Sequence, residues 1–210
     1  MTVGICSVAY GDTYHRFLPE WSQAVAALET KPTRITIIHD GVSQEIKDIV
    51  NDNIPVMWLE DRGTTYTFHP QVLINTAITF TKCDWIVKLD ADDLILPHAL
   101  NGLQDVTADV WNFGYRRNGN DVVSRSVSVD QVLQRSSNPV SSCSPFRRWL
   151  WESNQFLDMP HCDWMFWVHA ARAGAQFSST KRVDYIYRVH AEQITNRIDT
   201  SAAAARIRSL

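Results

Sequence analysis

The sequence predicts an α/β fold: one domain over residues 1–210, with a mainly parallel central sheet flanked by helices and a mixed second half. Two observations carry the class. Short β-branched and apolar runs alternate with stretches whose apolar residues recur at spacings of three and four, the period of a half-buried helix. The short runs are also apolar nearly throughout, which suits strands covered by helices on both faces.

The elements follow in order. Residues 2–9 form a first strand, stopped by the turn Tyr10-Gly11-Asp12. Leu18, Trp21, Val25 and Leu28 make the stripe of an amphipathic helix. A second strand over 34–38 ends in His39-Asp40-Gly41, and a helix over 43–51 follows, with Ser43 as N-cap and Ile46, Ile49 and Val50 facing inward. Residues 55–59 read as a third strand and lead into the polar turn Glu60-Asp61-Arg62-Gly63. A helix over 70–80, with proline near its start, places Leu73, Ala77 and Phe80 on one face. A fourth strand over 85–89 ends abruptly in Asp90-Ala91-Asp92-Asp93. In the less regular second half, 109–115 reads as a fifth strand, with a hairpin-like turn at 116–121 and an extended run over 122–129. The serine-rich 136–144 reads as a mobile loop. Trp164, Trp167, Val168 and Ala171 form a helix stripe ending at Gly174, and 183–189 is a late strand followed by His190.

Composition bounds the possibilities. A chain of 210 residues, 45% apolar and 20% charged, can bury one substantial core, and it is neither collagen-like, disordered nor coiled-coil in type. Its longest apolar runs fall well short of the ~20 residues a membrane span requires. The start of the chain lacks a basic segment followed by a long apolar one, so no secretory signal is expected. Cys6, Cys83, Cys143 and Cys162 are scattered without a CxxC pair, which predicts neither a disulfide framework nor a zinc knuckle. A reducing cytoplasm is the expected compartment. Charge is unevenly divided: residues 1–114 carry 15 acidic and 7 basic side chains, residues 115–210 carry 8 and 13. The first half is suited to collecting a divalent cation and the second to attracting phosphate or another anion.

In a mainly parallel sheet, ligands bind beyond the carboxyl ends of the strands. Tyr10, Asp40, Arg62 and the acidic run 90–93 all lie at such ends. Three carboxylates directly after a buried strand repel one another unless a cation neutralises them, and oxygen ligands suit Mg²⁺ or Mn²⁺. An isolated DxD would equally serve as an aspartate turn or helix cap.

The run Ile86-Val87-Lys88-Leu89-Asp90-Ala91-Asp92-Asp93 resembles the "LDADD" strand end of family 2 glycosyltransferases with the GT-A fold. His39-Asp40-Gly41 resembles that family's "DDG", with His in place of the first Asp, and Arg62-Gly63 stands where the family has an "NxG"-like turn, without its asparagine. Met159-Pro160-His161-Cys162-Asp163-Trp164 resembles the "ED" region, with Cys162 replacing the first acid, and Tyr187-Arg188-Val189-His190 resembles "YRxH". The order of these elements extends the resemblance over most of the chain.

The resemblance implies a GT-A fold with a nucleotide-sugar half at about 1–114 and an acceptor half at about 115–210. It also implies metal-dependent, inverting transfer of a sugar from a nucleoside-diphosphate sugar, with UDP favoured. Tyr10 would stack on the base, Asp40 would meet base or ribose, and Arg62 would face the diphosphate. Asp90 would contact ribose or metal, Asp93 would orient the donor sugar or cap the next segment, Asp92 would hold Mn²⁺ or Mg²⁺, and His190 would complete the metal's coordination or contact the diphosphate. Asp163 is the implied general base, Glu152 and Asp158 its substitutes, and it would otherwise serve as an N-cap. Trp149, Trp151 and Trp164 would line an acceptor site or lie in the core. The acceptor is expected to be a glycan hydroxyl. Arg116, Arg117, Arg125, Arg147 and Arg148 keep an anionic acceptor, including a modified base in DNA, as an alternative. Nucleotidyl transfer and a catalytically silent binding module are the remaining alternatives. Oligomeric state is left open by the sequence.

Overall fold

The computed structural model describes residues 1–63, 70–193 and 199–209. The first half alternates strand and helix: β1 (Val3–Ala9), α1 (Asp12–His15), α2 (Leu18–Ala26), β2 (Arg34–His39), α3 (Gln44–Asn53), β3 (Met57–Glu60), α4 (Ile74–Thr81) entered through a 3₁₀ turn at Pro70–Leu73, and β4 (Trp85–Lys88). The second half contains β5 (Leu94–Ile95), β6 (Val110–Arg117), β7 (Asn120–Val122), α5 (Val129–Gln134), β8 (Phe146–Arg147), α6 (Arg148–Ser153), α7 (Cys162–Arg172), β9 (Phe177–Tyr187) and α8 (Ser201–Ser209).

All of these strands join one sheet, ordered β3-β2-β1-β4-β8-β6-β9-β5, with β7 paired to β6. The β3-β2-β1-β4 portion is wholly parallel, whereas β8 and β7 pair antiparallel to their neighbours and β6 runs parallel to β9. The first half is thus parallel and the second mixed, as the alternation and its loss after residue 114 predict.

Side-chain alternation along β1 divides the core into two layers. Cys6 and Val8 point to the layer formed by α4, α6 and α7, and Val3 and Ile5 to the layer formed by α2 and α3. The predicted stripe Leu18, Trp21, Val25 and Leu28 is buried as expected. Ser43 caps α3 by accepting the Ile46 N–H at 3.4 Å. No described helix is long and apolar enough to cross a membrane.

Several expectations are corrected. Ile49 and Phe80 are 40% and 48% exposed. Once α4 begins at Ile74 behind a 3₁₀ turn, its buried face runs Ile74, Ala77, Ile78, Thr81, and Phe80 falls outside it. Residues 122–129 are not one extended run: β7 stops at Val122 and α5 begins at Val129 with a Ser128/Gln131 capping box. The late strand is longer than expected and starts at Phe177. The 136–144 loop is tied down rather than loose. Asn112 on β6 accepts from the Ser141 N–H (3.1 Å) and the Ser144 hydroxyl (3.2 Å), and donates to the Pro139 carbonyl (3.2 Å).

One close approach holds the mixed half together. A Cβ on Gly114 would sit 2.1 Å from the Arg182 carbonyl oxygen and 2.7 Å from both the Ser124 nitrogen and the Val122 oxygen. All three are backbone atoms that cannot swing aside. Gly114→Ala should therefore lower unfolding free energy by about 1–3 kcal/mol or more, measured by denaturant titration.

Candidate functional site

Parallel register brings the predicted site residues to one edge. Ala9 pairs with His39 and Cys6 with Lys88, so Tyr10, Asp40 and the 90–93 turn emerge from adjacent strand ends. The chain then returns through β9, whose Ile186 pairs with Leu94. Tyr187, Arg188 and His190 are thereby delivered to the acidic turn from 95 or more positions away.

Charge in this turn is tightly arranged. The buried Lys88 ammonium lies 2.5 Å from Asp90 Oδ1. Burial is the largest influence and disfavours that ammonium, but Asp90, Cys162 and Cys143 together outweigh it and hold the lysine pKa above its ordinary range. Asp93 points inward, accepting from the Arg188 N–H (3.0 Å) and the Cys143 thiol (3.8 Å). Burial, reinforced by Asp92 and Asp90, pushes the Asp93 pKa well above the usual carboxylate range. Burial likewise keeps Cys143 a neutral thiol. Asp92 faces the other way, with Oδ2 3.1 Å from His190 Nε2. Its pKa is also raised, first by burial and then by Asp90. The His190 ring packs on Phe17 and Tyr14 at centroid distances of 5.1 and 6.0 Å, and its Nδ1 lies 3.1 Å from Glu192. Arg188 binds the Asp92 carbonyl and Glu20 and stacks over Phe17 at 4.6 Å.

Two groupings have the chemistry for a cation. Asp90, Asp93 and Cys143 offer ligand atoms within 4.8 Å of one another. Lys88 already neutralises Asp90, however, and Asp93 and Cys143 are bonded to each other. Asp92 and His190 bring a carboxylate oxygen and an imidazole nitrogen, both ligand types that suit Mn²⁺, to 3.1 Å of each other.

The remaining strand-end residues have local partners. Both Asp40 oxygens accept the Gly11 N–H (2.9 and 3.0 Å), and Oδ1 also meets His15 Nε2 at 2.8 Å. Asp40 thus anchors the turn after β1, where Gly11 has φ +80°. The Tyr10 hydroxyl lies 3.4 Å from Asp61. Arg62 is exposed and paired with Glu60 at 3.2 Å. His39 Nδ1 accepts the N–H groups of Gly41 (3.0 Å) and Val42 (3.1 Å), as an aspartate oxygen would in an Asx turn.

Asp163 lies in the first turn of α7. It is not the N-cap, which is His161 in a left-handed conformation. Its Oδ2 accepts from the Asn138 amide at 3.0 Å. Asn138 belongs to the wall of a cleft of about 950 Å³ whose floor includes Tyr115, Tyr185 and Tyr187. Cys162, the residue in place of an acid, is buried, and its thiol is pushed up to about 12 by that burial, so it stays neutral. Glu152 is paired with Arg148 on the surface of α6. None of the three tryptophans considered for acceptor contacts lines the cleft: Trp151 and Trp164 are buried in the core, and Trp149 donates to Asp109 at 3.1 Å. Lys88, Cys143 and Asn138 were not singled out by the sequence reading. A lysine inside an apolar strand was the available signal for the first; the other two lie in a loop whose path only the fold determines.

No protein-family model matches the chain, and no curated protein sequence matches it. Solved structures match at the level of fold. S. aureus TarS 1–349 in complex with UDP-GlcNAc superposes with a TM-score of 0.77 at 14% identity, covering 99% of this chain and 64% of that one. The same protein in complex with UDP gives 0.71 at 15% identity, over 90% and 61%. The mannosyltransferase PcManGT from Pyrobaculum calidifontis, in complex with GDP-Man and Mn²⁺, gives 0.63 at 16% identity, over 91% and 58%. The chain therefore spans less than two thirds of each of these proteins. Its fold is GT-A-like: a mostly parallel, helix-flanked sheet of the kind the motif resemblance implied.

The His39 turn gives a pH test. Burial, aided by Lys47, lowers the His39 pKa from its ordinary value, and protonating Nδ1 would also break two turn hydrogen bonds. A depressed folded-state pKa confers stability that is present above about 6.5 and is lost as pH falls through the folded value. Denaturant unfolding from pH 7.5 to 5 should show a steeper loss for the parent than for His39→Asn, whose amide oxygen accepts without titrating.

Proposed function

We propose that the chain is a metal-dependent, inverting glycosyltransferase of the family 2 type, moving a sugar from a nucleoside-diphosphate sugar, UDP favoured, to a glycan hydroxyl. The observation that carries this reading is the 3.1 Å contact of Asp92 with His190, 98 positions apart, at the carboxyl edge of a GT-A-like sheet. Mn²⁺ or Mg²⁺ held by these two side chains would supply Lewis-acid stabilisation of the departing diphosphate. The chain's own residues do the rest. Lys88 and Arg188 fix the 90–93 turn so that Asp92 faces His190. Asn138 holds one Asp163 oxygen, and the other would accept the acceptor hydroxyl's proton as the hydroxyl oxygen attacks the anomeric carbon. The first half, to about residue 114, would take the donor and the second half the acceptor.

Incubation with Mn²⁺ and a panel of nucleotide sugars should release a nucleoside diphosphate. Consumption of a triphosphate would indicate nucleotidyl transfer, and neither reaction would indicate a binding module. In calorimetry, Asp92→Ala should weaken Mn²⁺-dependent UDP binding by at least about tenfold, or ~1.4 kcal/mol. Parent-like affinity would refute the metal assignment.

Asp163→Asn should bind UDP as the parent does and turn over about 10²–10⁴-fold more slowly. Parent-rate transfer would place the base elsewhere.

A further inference from the structure

His190 stands between two carboxylates, one at each ring nitrogen. Nε2 is 3.1 Å from Asp92 Oδ2, and Nδ1 is 3.1 Å from Glu192 Oε2. The side chain is largely enclosed, at 13% exposure, with the ring against Phe17 and Tyr14. A half-turn about the Cβ–Cγ bond would exchange both nitrogens for carbons and lose both contacts. The hydrogen bonds therefore fix which way the ring faces.

Glu192 is itself held in place. The oxygen that meets His190 also accepts from Arg16 Nη2 at 3.1 Å, and the Arg16 guanidinium lies 4.8 Å over the Phe17 ring. Arg16, Glu192, His190 and Phe17 thus join the turn between α1 and α2 to the segment that follows β9.

A neutral imidazole carries one N–H and one lone pair, and an ionised carboxylate accepts without donating. Whichever carboxylate accepts from the ring therefore decides which nitrogen keeps its lone pair. Donation to Asp92 would use Nε2 as a donor and remove it as a ligand atom. Donation to Glu192 uses Nδ1 and leaves the Nε2 lone pair directed at Asp92. Metal-bound histidines commonly give their second N–H to a carboxylate in this way.

We propose that Glu192 is a positioning residue: it accepts a hydrogen bond from His190 Nδ1–H and so keeps the Nε2 lone pair facing Asp92. That a cation uses this lone pair rests on the metal-dependent glycosyltransferase reading; the choice of tautomer does not.

Imidazole nitrogen NMR shifts of His190 in the metal-free full chain at about pH 9, above the ordinary histidine range, read the tautomer. The parent should show the Nδ1–H form. Glu192→Ala should move the ring to the Nε2–H form, with Asp92 as the remaining carboxylate partner. Glu192→Gln should keep the parent form, because Arg16 donates to the oxygen at the ring and so turns the amide carbonyl toward Nδ1. Calorimetry with Mn²⁺ alone supplies the second readout. Glu192→Ala should weaken binding about 10–100-fold, and Glu192→Gln should restore most of it. Glu45→Ala, which removes an exposed carboxylate from α3, should leave both readouts as in the parent.

Melting curves check that each variant folds, and the parent measurement stands without them. An Nε2–H or doubly protonated ring in the parent would overturn the proposal, as would an unchanged tautomer or parent-like Mn²⁺ affinity in Glu192→Ala. Mn²⁺ binding with an unchanged tautomer removes this proposal alone. A tautomer that follows Glu192 in a chain that binds no Mn²⁺ supports the hydrogen-bond assignment and removes the metal reading.

Discussion

A lysine ammonium buried beneath an acidic turn is the constraint from which the rest of the site follows. Lys88 is the last residue of β4 and is almost wholly enclosed. An unpaired charge there would cost several kcal/mol, so a carboxylate must stand against it, and Asp90 is the residue that does. With Asp90 turned toward the lysine, the turn places Asp93 inward and Asp92 toward His190. Asp93 is then held by the Arg188 amide and the Cys143 thiol, which joins the end of β9 and the 136–144 loop to the same turn. The parallel half and the mixed half of the sheet thus meet at one group of interdependent charges.

Much of the fold was legible because the first half keeps local pattern and tertiary role in agreement. The stripe at Leu18, Trp21, Val25 and Leu28, the Ser43 cap and the apolar strands each mean in the fold what they mean in isolation. The second half is harder to read for physical reasons. β5 and β8 are two residues each, too short to show a period, and are defined by their pairing with β9 for the first and with β4 and β6 for the second. α7 is buried on nearly every side, so its apolar residues mark no single face. Phe80 was misplaced because α4 is entered through a 3₁₀ turn, and Ile49 because the buried residue of α3 is its neighbour Val50.

The site divides in the same way. Asp92 and His190 were legible from sequence order, and the fold brings them into contact. Asp40, Tyr10 and Arg62 lie at the expected edge, but each has a protein partner that no motif discloses. The roles of two residues became intelligible only with geometry. His39 accepts the hydrogen bonds an aspartate would accept in such a turn, and Cys162 occupies a position too enclosed for an ionised acid.

Asn112 has an evolutionary consequence. One buried amide on β6 fastens Pro139, Ser141 and Ser144, and reaches the Arg125 carbonyl at 3.4 Å. The cleft wall is therefore attached to the sheet at several points through one side chain, and Cys143 ties the same wall to Asp93 of the acidic turn. Mutations that recast the wall would leave the 90–93 turn undisturbed where they spare Cys143 and the points that Asn112 holds. A lineage built on this scaffold could diversify what it accepts without rebuilding the machinery at the strand ends.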